Sequence, residues 1–290
     1  MPAPQHLMRQ HDQNNEPMIR SMTLCARQCA FALCGGLTMA AYAQDATPAP
    51  TDADALAKKL QNPVASLISV PLQSNYDFGI GANNGTRFTL NVQPVVPASI
   101  SPKFNLITRL VLPVVSQNNV YGETSQSGLS DGLLTAFLSP KAPTSGGLIW
   151  GAGPAFLLPT GADGLTTEKF GVGPSLLVLK QSGGLTFGVL LNHIVSVGGD
   201  ESPTEVSNSF VQPFLALNFK GGKAISLNTE FTQNWEADVA SGFINLTGSQ
   251  VFRIGKQITQ AFLGPRIGYG PEESRADFGV RFGIVFLFPT

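Results

Sequence analysis

From Ser66 to the C-terminus, apolar residues recur at every second position, which is the period of a β-strand. The last segment is the clearest. Phe278, Val280, Phe282, Ile284, Phe286 and Phe288 alternate with Asp277, Gly279, Arg281 and Gly283. Such a strand has one apolar face and one polar or small face. Ile225, Leu227, Phe231 and Trp235 alternate in the same way with Ser226, Asn228, Glu230 and Asn234. Phe88, Leu90 and Val92 alternate with Arg87, Thr89, Asn91 and Gln93, and Ile68, Val70, Leu72, Tyr76 and Phe78 with Ser69, Gln73, Asn75 and Asp77. The pattern predicts about twelve strands, near 67–79, 86–96, 105–115, 130–139, 148–158, 170–179, 185–197, 207–219, 224–235, 242–252, 258–269 and 276–288. Most run 10–13 residues. Strands of soluble sheets are shorter, and a tilted strand crosses a bilayer in about 9–11 residues.

An even number of long antiparallel strands, apolar outside and polar inside, predicts an all-β fold: a transmembrane antiparallel β-barrel of about twelve strands in the outer membrane. Hydrocarbon offers backbone groups no partner, so the sheet must close on itself. At about 4.8 Å strand spacing and roughly 40° tilt, the backbone radius is about 12 Å, which side chains largely fill.

Charge in the connections supports the strand count. Every second connection (97–104, 140–147, 180–184, 220–223, 253–257) carries only bases: Lys103, Lys141, Lys180, Lys220, Lys223, Arg253 and Lys256. The alternate set holds ten acids against Lys169 and Arg275, and it contains the longest loops. One missed strand would mix the two sets. The basic, short set is expected to face the periplasm and the acidic set the exterior.

Composition narrows the class. Charged residues make up 13% of the 290, with 18 basic and 19 acidic, a net charge of -1. A soluble domain carries roughly 25% charge, and near-neutrality leaves no footprint for nucleic acid. Past residue 43 no stretch approaches 18 apolar residues, so a helical membrane protein is not expected.

The N-terminus reads as processing sequence. Residues 1–17 are a polar extension, and a secretory signal spans 18–43, with Arg20 and Arg27 before the apolar Ala30–Ala41 stretch and Ala41-Tyr42-Ala43 as cleavage site. Cys25, Cys29 and Cys34 all lie in it, so the mature chain is expected to have no disulfide. Residues 44–62 form a periplasmic linker and 63–290 the barrel. Thr51 with Asp54 resembles a capping box opening a short helix through Leu60, but a solvated spacer is the simpler expectation.

Several stretches carry a family likeness: Asn62-Pro63-Val64-Ala65-Ser66-Leu67-Ile68-Ser69-Val70-Pro71, Asn91-Val92-Gln93-Pro94, Leu138-Ser139-Pro140-Lys141-Ala142-Pro143, Trp150-Gly151-Ala152-Gly153-Pro154, Gly171-Val172-Gly173-Pro174, Asn192-His193-Ile194 and Gln212-Pro213-Phe214. Together they resemble the proteobacterial outer-membrane barrel family named after the meta pathway of phenol degradation. The likeness covers residues 62–290. It implies a barrel that passes hydrophobic or aromatic compounds, and it brings no catalytic residues. Pro289 and Thr290 depart from the aromatic last residue usual in such barrels.

Seven charges fall inside strands on the polar face: Asp77, Arg87, Arg109, Glu230, Arg266, Asp277 and Arg281. Asp131 lies at a strand edge and is set aside. Three acids against four bases nearly balance. They are candidates for a constriction that selects solutes, or for a salt-bridge ladder that stiffens the barrel, with Asp77 and Arg281 as candidate partners where the last strand meets the first.

Other chemistry is thinly represented. His193 and Ser196 are three apart, so they point to opposite faces, unlike a strand-borne hydrolase pair. His193 is the mature chain's only histidine, so no multi-histidine metal site and no cofactor is expected. Gly153-Pro154, Gly173-Pro174, Gln212-Pro213 and Gly264-Pro265 each predict a bulge or a strand end. Tyr76, Phe78, Trp150, Phe156, Phe187, Phe231, Trp235 and Tyr269 fall mainly near strand ends, as an interfacial girdle would.

The expected function is passive transport, not catalysis, with outer-membrane lipid and a small hydrophobic or aromatic solute as partners. A plugged structural barrel and a lipid-hydrolysing barrel are the alternatives, and a soluble β-sandwich is the alternative fold.

Overall fold

The computed structural model describes residues 50–199, 205–272 and 275–288. The expected signal, its three cysteines and the upstream extension lie outside them. Among the described residues one helix, α1 (Pro50–Leu60), precedes the strands. The first are β1 (Ile68–Ile80), β2 (Gly85–Val92), β3 (Val95–Ser99), β4 (Phe104–Asn118), β5 (Ser125–Leu129), β6 (Gly132–Pro140) and β7 (Leu148–Leu158). Then come β8 (Lys169–Ser182), β9 (Leu185–Gly199), β10 (Ser207–Phe219), β11 (Lys223–Asn234), β12 (Val239–Ile254), β13 (Gln257–Tyr269) and β14 (Phe278–Phe288).

These fourteen segments form twelve staves, because β2 and β3 both lie between β1 and β4, and β5 extends β6 along β4. Each stave pairs antiparallel with the next, and β14 closes onto β1 from Ile68↔Phe288 to Phe78↔Phe278. The result is a closed twelve-stranded antiparallel barrel without a free edge. The alternation sorts as the sequence predicts. In β14, Phe278, Phe282, Ile284 and Phe288 are exposed outward, while Arg281, Val285 and Leu287 are buried inside. Exposed Leu215, Leu217, Ile225, Leu227, Ile244 and Leu246 continue the outer apolar belt, a surface that only lipid satisfies.

Three sequence readings need correction. The second stave breaks at Gln93-Pro94, since proline has no N–H for the ladder, and it runs on to Ser99 beyond the predicted end. The fourth begins at Ser125, where Ser-Gln-Ser-Gly-Leu shows no apolar alternation. The four X-Pro motifs are neither bulges nor strand ends. Each proline is mid-strand and exposed outward. Beside it the ladder skips two pairs and resumes in unchanged register: Thr135↔Ala155 then Leu138↔Ala152, Val172↔Val195 then Ser175↔Asn192, Val211↔Phe231 then Phe214↔Asn228, and Asn245↔Arg266 then Gly248↔Leu263. At Gly153, Gly173 and Gly264 a Cβ would run into the facing carbonyl of Ala136, His193 or Leu246. The carbonyl left without a donor therefore lies against the glycine Cα, an approach open only to glycine.

The largest departure is α1. It is no solvated spacer but sits inside the barrel end formed by the short turns. Ala53, Leu56 and Ala57, spaced i, i+3, i+4, are buried against Leu67, Val251, Val285 and Leu287. Asp54 Oδ1 accepts the Gly222 amide at 2.7 Å. Gln181 donates to the Lys58 carbonyl at 2.9 Å, satisfying one open group of the helix end. Lys58 and Lys59 in the last turn suit the helix dipole. The side chain of Thr51, the expected cap, lies outside the described residues. Asp54 instead anchors the helix to a turn of the wall.

At the opposite, long-loop rim, Lys169 Nζ lies 2.8 Å from Glu205, which also accepts from Ser196 Oγ. The bonds from Lys169 and then Ser196 hold the Glu205 carboxyl below the usual carboxylate range. A depressed folded pKa means the contribution is present above the ordinary range and is lost as pH falls through the folded value. Protection of the Val206 amide, which donates to Ser196 Oγ at 2.9 Å, measured against the intrinsic exchange rate at each pH, is expected to fall on that acid limb. Glu205→Gln should abolish the acid dependence, and an unchanged profile would refute the anchoring role.

Candidate functional site

Pairing register determines which inward side chains meet. Along one row across the sheet, Gln117 opposes Arg87, Arg87 opposes Asp77, Asp77 opposes Gly279, Gly279 opposes Arg266, and Arg266 opposes Asn245. Arg87 Nε donates to Gln117 Oε1 at 2.7 Å. Arg266 lies 3.4 Å from Asp77 and 3.6 Å from Glu230, with its guanidinium 3.5 Å from the centre of the Phe243 ring. Arg281 donates from both terminal nitrogens to Glu230, at 2.8 and 2.9 Å, and from Nε to Asn75 at 2.8 Å. The lumen thus brings Asp77, Glu230, Arg266 and Arg281 into one network on β1, β11, β13 and β14.

The expected Asp77–Arg281 pair does not form. Asn75 faces Arg281 and Asp77 faces Gly279, so each charge takes a partner from another stave. Gly279 makes room for this. A Cβ there would overlap Asp77 Oδ1 and lie 2.8 Å from Arg266 Cγ. Gly279→Ala is expected to cost about 1–3 kcal/mol by overpacking, read as a lower urea midpoint in micelles; a midpoint equal to wild type would show that the pair moves aside freely.

Asp277 is also corrected. It lies before β14, exposed at the rim, 3.7 Å from Arg275, because the strand starts one residue later than its alternation implies. Without it, the inward set holds Asp77 and Glu230 against Arg87, Arg109, Arg266 and Arg281, an excess of positive charge. Asp131, set aside in the sequence, accepts from the Gly161 and Thr167 amides and the Thr166 and Thr167 hydroxyls. It shapes the loop at 159–168.

Arg109 stands apart from the network. Its guanidinium donates to Gln93 Oε1 at 2.6 Å, and among the described residues no carboxylate lies within ion-pairing distance. It lines two cavities inside the barrel. One, of about 260 Å³, reaches down to Lys59, Leu60 and Gln61 at the end of α1. The other, of about 280 Å³, extends toward Glu230. Gln73, Gln93, Arg109, Leu190 and Gln212 line both, so the two are neighbouring compartments of one lumen. The expectation of a uniformly polar interior fails here. Ile107, Phe137, Leu177, Leu179 and Leu190 form a buried apolar cluster on β4, β6, β8 and β9. The alternation count classed these strands by their outer face, and their inner face is apolar as well.

His193 and Ser196 do not meet. His193 Nδ1 is 2.9 Å from Ser209 Oγ on the next strand, and Trp235 Nε1 donates to the same oxygen at 2.9 Å. Ser209 escaped the sequence reading because the contact is across strands. Trp235 is exposed, which puts this trio on the lipid-facing girdle together with Tyr76 and Phe78, whose ring centres are 4.6 Å apart. No group of three or more potential metal ligands occurs among the described residues.

No family model matches the chain, and no curated protein matches it. Solved structures do. An outer membrane channel from Pseudomonas putida F1 superposes with a TM-score of 0.61 at 15% identity, over 77% of this chain and 96% of that one. The outer membrane phospholipase A of Escherichia coli scores 0.44 at 12% identity, over 76% and 96%. The first likeness supports the fold; the second carries no argument. The fold is that of outer-membrane β-barrels.

Proposed function

We propose that this outer-membrane barrel is a channel for small solutes with a substantial apolar part. The observation that carries the reading is the mixed lining of the lumen: Arg109 and the amides of Gln73, Gln93 and Gln212 share adjoining cavities with Leu190, and Phe137 and Phe210 line one of them. A water-filled pore for ions needs no such apolar wall, and a purely structural barrel needs no cavity. The resemblance to the phenol meta-pathway family agrees with aromatic or hydrophobic cargo. Proteoliposomes loaded with an aromatic probe too polar to cross lipid unaided, such as a sulfonated phenol, test it. Efflux faster than from empty-protein vesicles supports transport, and equal rates refute it.

A second reading has its own support. The ion network and α1 together fill much of the interior, as in a plugged barrel that only stiffens the membrane surface. Silence in planar bilayers, persisting after α1 is removed, would favour that reading.

A further inference from the structure

We propose that Arg109 and Gln93 form a carboxylate-binding site inside the lumen, selecting solutes that pair one negative charge with an apolar body. The inference deepens the channel reading and rests on it. Among the described residues Arg109 makes no ion pair: its hydrogen bond goes to the Gln93 amide, and Glu230, which lines the same cavity, is already bound by Arg266 and Arg281. A guanidinium has five donors in a fork that matches a carboxylate. A cation in a narrow lumen without a counter-charge is costly, and a bound anion offsets that cost.

Gln93 fixes the arrangement. Arginine can only donate, so the Gln93 oxygen must face it and the amide NH2 must face elsewhere. Gln93 is held in turn by its backbone, whose amide donates to the Pro71 carbonyl at 2.9 Å. Gln93 thus holds the guanidinium in place, and the remaining donors of Arg109 stay open to one acceptor group. Leu133, Phe137 and Phe210 line the same cavity of about 280 Å³, a volume suited to one ring or a short chain. One cation matches one carboxylate, and the apolar wall matches the remainder of a benzoate-like acid. A neutral aromatic would leave Arg109 uncompensated, and an inorganic anion would leave the wall without a partner.

The test uses the full chain refolded into detergent micelles. Sodium benzoate and benzamide, its neutral counterpart, are titrated separately by calorimetry. Benzoate is expected to saturate and to bind at least tenfold more tightly than benzamide. Equal affinities, or no benzoate binding, would overturn the site. Arg109→Gln should weaken benzoate tenfold or more and leave benzamide unchanged, while Arg109→Lys restores part of the loss. Wild-type benzoate affinity in Arg109→Gln would overturn it as well. Efflux of the sulfonated phenol from proteoliposomes of the same protein separates the two claims. A barrel that binds benzoate through Arg109 but gives no efflux above protein-free vesicles upholds the site and removes transport. A barrel that gives efflux without Arg109-dependent binding upholds transport and removes the site.

Discussion

Removing residues 50–60 is expected to raise the single-channel conductance severalfold. An α-helix with its side chains is about 10–12 Å across, and a twelve-stranded barrel has a backbone radius of about 12 Å, reduced further by inward side chains. One helix therefore occupies most of the mouth where it sits. Ala53, Leu56 and Ala57 hold it against Val251, Val285 and Leu287, and Asp54 pins it to Gly222. Deletion also bares that apolar wall, so a second variant is needed. Ala57→Glu keeps the chain length but forces a charge into a contact with no exposed surface, and it should raise conductance in the same direction. Conductance equal to wild type in both variants would mean that current does not pass the end where α1 lies.

The second large effect concerns Glu230. This carboxylate lies between Arg266 and Arg281, whose side chains are each 5% exposed while its own is 21% exposed. Replacing it with glutamine removes the charge and keeps the shape, leaving two guanidiniums facing each other. Breaking a buried pair from one side costs about 3–5 kcal/mol; some access to lumen water places the expected loss near 3 kcal/mol. Urea unfolding followed by tryptophan emission measures it. Glu230→Gln combined with Arg281→Gln should lose less than the two single changes added together, because the second change relieves the repulsion left by the first. Strict additivity would show that the network contributes no coupling and that lumen water already screens each charge.

The sequence disclosed the barrel because lipid imposes the same rule on every strand: one face must be apolar. Phe278 to Phe288 obey that rule at every outward position, and Ile68 to Phe78 obey it at all but Ser74. The sorting of charge between alternate connections located the turns. The lumen obeys no such rule. Water, a helix or another side chain can satisfy an inward residue, so Ile107 and Phe137 could lie inside without violating the outer pattern. Pairing in the site depends on register, which alternation does not carry. Asp77 and Arg281 both point inward as expected, yet a two-residue offset gave them different partners. The helix was visible as a capping pattern, but its seat was not, because the strands whose apolar wall receives it, at Val251, Val285 and Leu287, lie about two hundred residues or more further along the chain.

The four outward prolines bear on the mechanics of the wall. A fully laced cylinder resists changes in girth, because any stretch must break cross-links around its circumference. Here each lacing gap closes again in step, so local widening leaves every residue facing the side it faced before. The prolines are expansion joints in the design of the wall: cross-links are fewest there, so any widening would fall at these points without a side chain exchanging oil for water.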